Sequence, residues 1–163
     1  MDAGASGPEL AAALDAVFAE LYACYRAREF EATRRLWDPD EPHPTYLAEE
    51  IDDFRRGWPE IEAYWAETRA ALPHLGVRHR DVRAHAVAAD LAIATCHMHW
   101  DALIAGQARP LGGDVRVTAT FRRKPDGWKL IHYVEAPLAP TIYFRRLLER
   151  SVTPGFPPSS PES

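Results

Sequence analysis

Apolar residues recur at spacings of three and four between Glu9 and Arg28: Leu10, Leu14, Val17, Phe18, Leu21, Cys24 and Tyr25. That spacing puts them on one face of a helix. Pro8 suits the first helical turn, and Glu9 suits its positive end. A short second helix is expected over Phe30–Leu36, with Arg34 and Arg35 outside. Pro39, Pro42 and Pro44 then force an extended or turning path. Thr45-Tyr46-Leu47 reads as a short strand. Gly57-Trp58-Pro59 opens a third helix whose inner face is Ile61, Tyr64, Trp65 and Thr68, and Pro73 and Gly76 end it.

Beyond Gly76 the period changes to two. Strands are expected over Val77–Ala86, Leu91–Ile104, Asp114–Arg123 and Trp128–Ala136, the last two joined by a Pro125-Asp126-Gly127 turn. A final helix is expected over Thr141–Arg150. Three helices followed by hairpin strands predict an α+β fold, with helices covering one face of a curved antiparallel sheet. One domain over residues 8–150 is expected, flanked by disordered segments at 1–7 and at the Pro/Ser-rich 151–163.

Strict alternation assigns faces to the strands. Ala92, Ala94, Cys96, Met98 and Trp100 share one face, as do Val115, Val117, Ala119 and Phe121. Trp128, Leu130, His132 and Val134 form the matching face of the last strand, which sends Lys129, Ile131, Tyr133 and Glu135 outward. An inner face mixing very small with very large side chains either encloses a pocket or interdigitates as a core. His132 stands out on it, as a proton donor or acceptor in an apolar pocket or as a neutral, hydrogen-bonded core histidine.

Composition narrows the function classes. The 163 residues are 47% hydrophobic and 26% charged, which is globular composition. The net charge of −5 leaves no basic excess for phosphates, so no nucleic-acid partner is expected. No membrane segment and no secretory leader is read, and a cytoplasmic location is expected. Cys24 and Cys96 lie in apolar runs and read as free, buried thiols. His97, His99 and Asp101 alternate on the outer face, where polar decoration or a dimer contact is favoured over a metal site. No nucleophile elbow or phosphate loop is present, and no cofactor or metal is expected.

The stretch Arg122-Arg123-Lys124-Pro125-Asp126-Gly127-Trp128-Lys129-Leu130-Ile131-His132-Tyr133 resembles the closing hairpin of the nuclear-transport-factor-two-like superfamily. Its SnoaL-like group and the association domain of calcium/calmodulin-dependent kinase type II share that pattern. Leu36-Trp37-Asp38-Pro39 and Gly57-Trp58-Pro59-Glu60-Ile61-Glu62-Ala63-Tyr64-Trp65 are similar to the same group. The resemblance implies a cone-shaped, cystatin-like α+β fold with a pocket between helices and bent sheet. It also implies a homodimer paired through the outer sheet face, here Ile93, Thr95, Thr118, Thr120, Ile131 and Tyr133.

The acids of ketosteroid isomerase and the pocket arginines of the kinase domain have no counterparts at the matching inward positions. The histidine and tyrosines of scytalone dehydratase match better in type. The function expected is therefore a cofactor-free dehydratase, isomerase or cyclase acting on an apolar polyketide- or steroid-like molecule, with a non-catalytic binding or assembly module as the alternative. His132, Tyr46 and Glu49 are the candidate catalytic residues. Tyr22, Trp37, Tyr64, Trp65, Cys96, Met98, Trp100 and Phe121 are the candidate ligand-binding residues.

Overall fold

The computed structural model describes residues 7–139. The expected helix at Thr141–Arg150, the tail 151–163 and residues 1–6 lie outside them, whereas Gly7 already belongs to the first helix.

Helix α1 spans Gly7–Ala27 and buries Leu10, Leu14, Phe18, Leu21, Cys24 and Tyr25 along the predicted face, and Tyr22 beside it. It stops in a left-handed turn at Arg28 (φ 60°), where the N–H groups of Arg28 and Glu29 reach the carbonyls of Tyr25 and Cys24. This closes the helix end without the usual glycine. A 3-10 helix follows at Phe30–Leu36. Strand β1 is Thr45–Leu47, and β2, which the hydropathy pattern did not predict, is the two-residue Arg55–Arg56.

Helix α2 spans Gly57–Ala71. Gly57 enters it at φ 75°, a backbone angle that favours glycine. The Glu60 carboxylate accepts from the Arg56 N–H at 2.8 Å and so satisfies a donor at the helix start. Strands β3 (His74–Ala88), β4 (Leu91–Leu103), β5 (Leu111–Lys124) and β6 (Gly127–Pro137) form three antiparallel hairpin pairings. The curved sheet has the order β2-β1-β6-β5-β4-β3, with β1 parallel to β6. The expected α+β architecture is therefore present.

The faces of β4 and β5 follow the alternation: Ala92, Ala94, Cys96, Met98, Val115, Val117, Ala119 and Phe121 are all buried. Strand β6 does not follow it. Phe121 pairs with Leu130 but Thr120 pairs with His132, so Ile131 is an extra residue, a β-bulge. Because side chains alternate with period two, one extra residue exchanges the faces of everything beyond it. Tyr133 (0% exposed) and Glu135 (7%) turn inward, and His132 and Val134 turn outward. The face assignment for the second half of β6 is thus corrected.

Candidate functional site

Residues of α1, α2 and one end of the sheet surround a cavity of about 190 Å³. Tyr25 comes from α1, Tyr46 from β1, and Glu49 and Glu50 from the segment after it. Tyr64 and Thr68 come from α2, Val77 from β3, Met98 and Trp100 from β4, and Glu135 from β6. Each element contributes through its own period: Tyr64 follows Ile61 by three residues in α2, and Glu135 follows Tyr133 by two in β6.

The polar groups form one hydrogen-bonded chain and two separate pairs. Tyr22 and Tyr133 hydroxyls meet at 3.1 Å, and Tyr133 donates to the Glu135 carboxylate at 2.8 Å. The other Glu135 oxygen accepts from the backbone N–H of Glu49 at 3.3 Å. Tyr25 and Tyr46 hydroxyls pair at 3.0 Å, Tyr64 donates to Glu50 at 2.5 Å, and the Trp100 indole N–H donates to Glu49. The Tyr46 ring also stacks on Tyr133, with centroids 5.1 Å apart.

Burial, and then the nearby charge of Glu50, pushes the Glu135 carboxyl up to about 8. Its hydrogen bonds from Tyr133 and from the Glu49 backbone oppose that shift without cancelling it. Half-burial raises Glu49 as well, against the pull of the Trp100 N–H. Burial holds Tyr22, Tyr25, Tyr46, Tyr64 and Tyr133 protonated well beyond the ordinary phenol range. The cavity therefore presents phenol donors that stay protonated and a carboxyl that exchanges its proton near neutral pH.

The structure gathers some predicted site residues and scatters others. Tyr46, Glu49, Tyr64, Met98 and Trp100 line the cavity. Tyr22 and Cys96 lie beneath it, their oxygen and sulfur 3.9 Å apart, and burial pushes the Cys96 thiol up to about 12. Trp37, Trp65 and Phe121 pack in the closed core away from it. His132 leaves the site altogether. It sits half-buried on the outer face beside the Phe54 ring, at 6.4 Å, and burial lowers its pKa. The inward place that alternation gave it is held by Tyr133.

Glu135 and Tyr25 were missed as site residues. The adjacent apolar pair Leu130-Ile131, which breaks the alternation of β6, is the one sequence signal that could have exposed the bulge. On the outer face, His99 pairs through Nδ1 with Asp114 at 2.9 Å and through Nε2 with Asp101 at 3.1 Å. Among the described residues no group of three His, Cys, Asp or Glu side chains is placed to hold a metal ion, and no helix is long and apolar enough to cross a membrane.

Comparisons with known proteins agree with this architecture. A family model for the SnoaL-like domain matches residues 14–140. No curated protein matches the chain. Among solved structures, a protein from Streptomyces avermitilis provisionally named a dehydratase of the NTF2-like family is 21% identical. That match covers 78% of this chain and 95% of its own, with a TM-score of 0.68. A Novosphingobium aromaticivorans protein provisionally named a scytalone dehydratase is 7% identical over 78% of this chain and 83% of its own, with a TM-score of 0.68. A Xanthomonas campestris protein provisionally named a calcium/calmodulin-dependent kinase II association domain is 13% identical over 78% and 86%, with a TM-score of 0.66. Dehydratase and assembly names share one fold here, so the shared fold does not choose between them.

Proposed function

The chain belongs to the SnoaL-like domain family, and we propose that it is a proton-transfer enzyme of the dehydratase or isomerase kind acting on a small, largely apolar molecule. The observation that carries this reading is Glu135, a 7%-exposed carboxyl at the cavity wall that changes protonation near pH 8. A group with a pKa close to the working pH can both take and return a proton. Dehydratase names among similar folds support the same class.

Ionised Glu135 removes a proton from a carbon next to a substrate carbonyl. Tyr46, its hydroxyl held by Tyr25, donates a hydrogen bond to the carbonyl oxygen as negative charge develops there. Protonated Glu135 then returns the proton. Delivery to a second carbon completes an isomerisation. Delivery to a departing hydroxyl, as its C–O bond breaks, releases water and completes a dehydration. Tyr133 and the Glu49 N–H fix the carboxyl's orientation throughout. A cavity of about 190 Å³ falls below the usual range of about 300–1,000 Å³ for drug-sized ligands. A substrate of roughly one ring therefore suits it better than a steroid.

The test uses 5-nitrobenzisoxazole, a neutral molecule whose C–H proton is removed by a base as its N–O bond breaks. Wild-type protein is expected to accelerate ring opening, with a rate that rises through about pH 8, and Glu135→Gln to lower it at least about 100-fold. A wild-type rate no greater than that of an equal concentration of acetate overturns the catalytic reading.

A further inference from the structure

We infer that the molecule received by this cavity carries a positive charge, as a protonated or quaternary amine attached to an apolar body. The inference rests on the reading of the cavity as a substrate site and names the substrate's class.

Three observations converge on it. First, Glu49, Glu50 and Glu135 all line the cavity, and among its described lining residues there is no lysine, arginine or histidine. Second, the hydrogen-bond donors to these three carboxyls are neutral: Trp100, Tyr64, Tyr133 and a backbone N–H. Acids elsewhere in the molecule behave differently. The fully buried Asp38 is bridged by Arg122 at 2.9 Å and Lys124 at 3.0 Å. Buried carboxylates are ordinarily paired with a cation in this way. Among the described residues the cavity acids have only dipoles: Glu50 stands at the exposed rim, while the half-buried Glu49 and the buried Glu135 answer the lack of a cation by holding their protons more tightly, so a positive charge is the partner that would let the three ionise together.

Third, aromatic rings make up a large part of the remaining walls, with aliphatic side chains between them. Tyr25, Phe30, Tyr46, Tyr64 and Trp100 surround the same space. The electron-rich faces of such rings attract organic cations, most strongly where water is excluded. The three acids are not grouped to hold a metal ion. An ammonium group, larger and less demanding in geometry, fits between carboxylates and rings, while its apolar substituents meet Met98, Val77 and Leu72.

The experiment compares two probes of equal shape: phenyltrimethylammonium and the neutral tert-butylbenzene, titrated into the full chain by calorimetry or ligand-observed NMR. The cation is expected to bind at least about 30-fold tighter than its neutral counterpart. Glu135→Gln combined with Glu50→Gln is expected to remove most of that preference. Glu50→Gln alone, a change at the exposed rim, is expected to reduce it severalfold while leaving the fold intact. Equal or tighter binding of tert-butylbenzene overturns the inference, and so does failure of the cation to bind. Ring opening of the neutral nitrobenzisoxazole does not depend on ligand charge. Its persistence without a charge preference overturns this inference alone, whereas its loss with the preference intact overturns the catalytic reading alone.

Discussion

The inner face of one sheet serves two unlike regions. At one end Ala92, Ala94, Ala119 and Phe121 are wholly buried in the same core cluster as Leu14 and Phe18. The rings of Phe18 and Phe121 meet edge to face at 5.6 Å. At the other end Met98, Trp100 and Glu135 face Tyr25, Tyr46 and Tyr64 across open space. The alanines invite the reading of a pocket, yet they sit in the closed end. Small residues there let the helix layer approach the sheet, and the space they leave is filled by Phe18 and its neighbours. The cavity lies instead among residues of α1, β1, α2, β4 and β6. Its walls carry hydroxyls and carboxyls because they need only satisfy one another and a ligand.

The contrast can be broken most forcefully at Phe18. Phe18→Ala in the closed end is expected to cost about 3–5 kcal/mol in urea unfolding, because its neighbours cannot collapse into the void. A loss below about 1 kcal/mol would show that this end is not close-packed.

Adding volume sharpens the same comparison. Ala119→Leu is expected to destabilise by about 1–3 kcal/mol. Ala102→Leu, beside the cavity, is expected to cost less than Ala119→Leu and to reduce probe binding instead. Equal penalties in paired denaturation curves would erase the distinction between the two ends.

Protonation distinguishes the ends in another way. Unfolded, the Glu135 carboxyl releases its proton near 4.5, whereas folded it holds the proton to about 8. Between those values the folded state binds more protons, so this group makes stability fall as pH rises through the window. Melting temperatures recorded at pH 5 and pH 8.5 are expected to fall further for the wild type than for Glu135→Gln. Parallel declines would show that Glu135 titrates normally. Phe18→Ala, by contrast, should leave the wild-type pH slope unchanged.

Smaller effects belong to single hydroxyls and to the outer face. Tyr46→Phe breaks the bond with Tyr25 and is expected to cost about 1 kcal/mol in stability, together with a measurable drop in ring-opening rate. His132→Ala is expected to leave that rate within about twofold of wild type, since its side chain lies across the sheet from the cavity. A large loss of rate in His132→Ala would return that histidine to the mechanism.

Most of the scaffold was legible in the chain. The three-and-four spacing from Leu10 to Tyr25, the 3-10 segment Phe30–Leu36 and the strand Thr45–Leu47 fall where expected, because each is set by local periodicity or turn chemistry. The site was legible only in part. Tyr46, Tyr64, Met98 and Trp100 were named because their faces are fixed within regular elements, and Glu49 because it closely follows β1. His132 was misplaced and Glu135 missed for a shared reason, the extra residue at Ile131.

By itself, then, the sequence determined the order of the helices and of every strand but β2, the α+β class and the family to which the chain belongs, all of which rest on local patterns and their succession. Only the tertiary structure decided which residues meet in the cavity. A β-bulge is an event between two strands, visible in the pairing of Phe121 with Leu130 and Thr120 with His132 and in neither strand alone. The unusual protonation of Glu135 is likewise a property of its surroundings. Burial against tyrosines from α1, β1 and β6, with Glu50 nearby, turns an ordinary carboxyl into one poised near neutral pH.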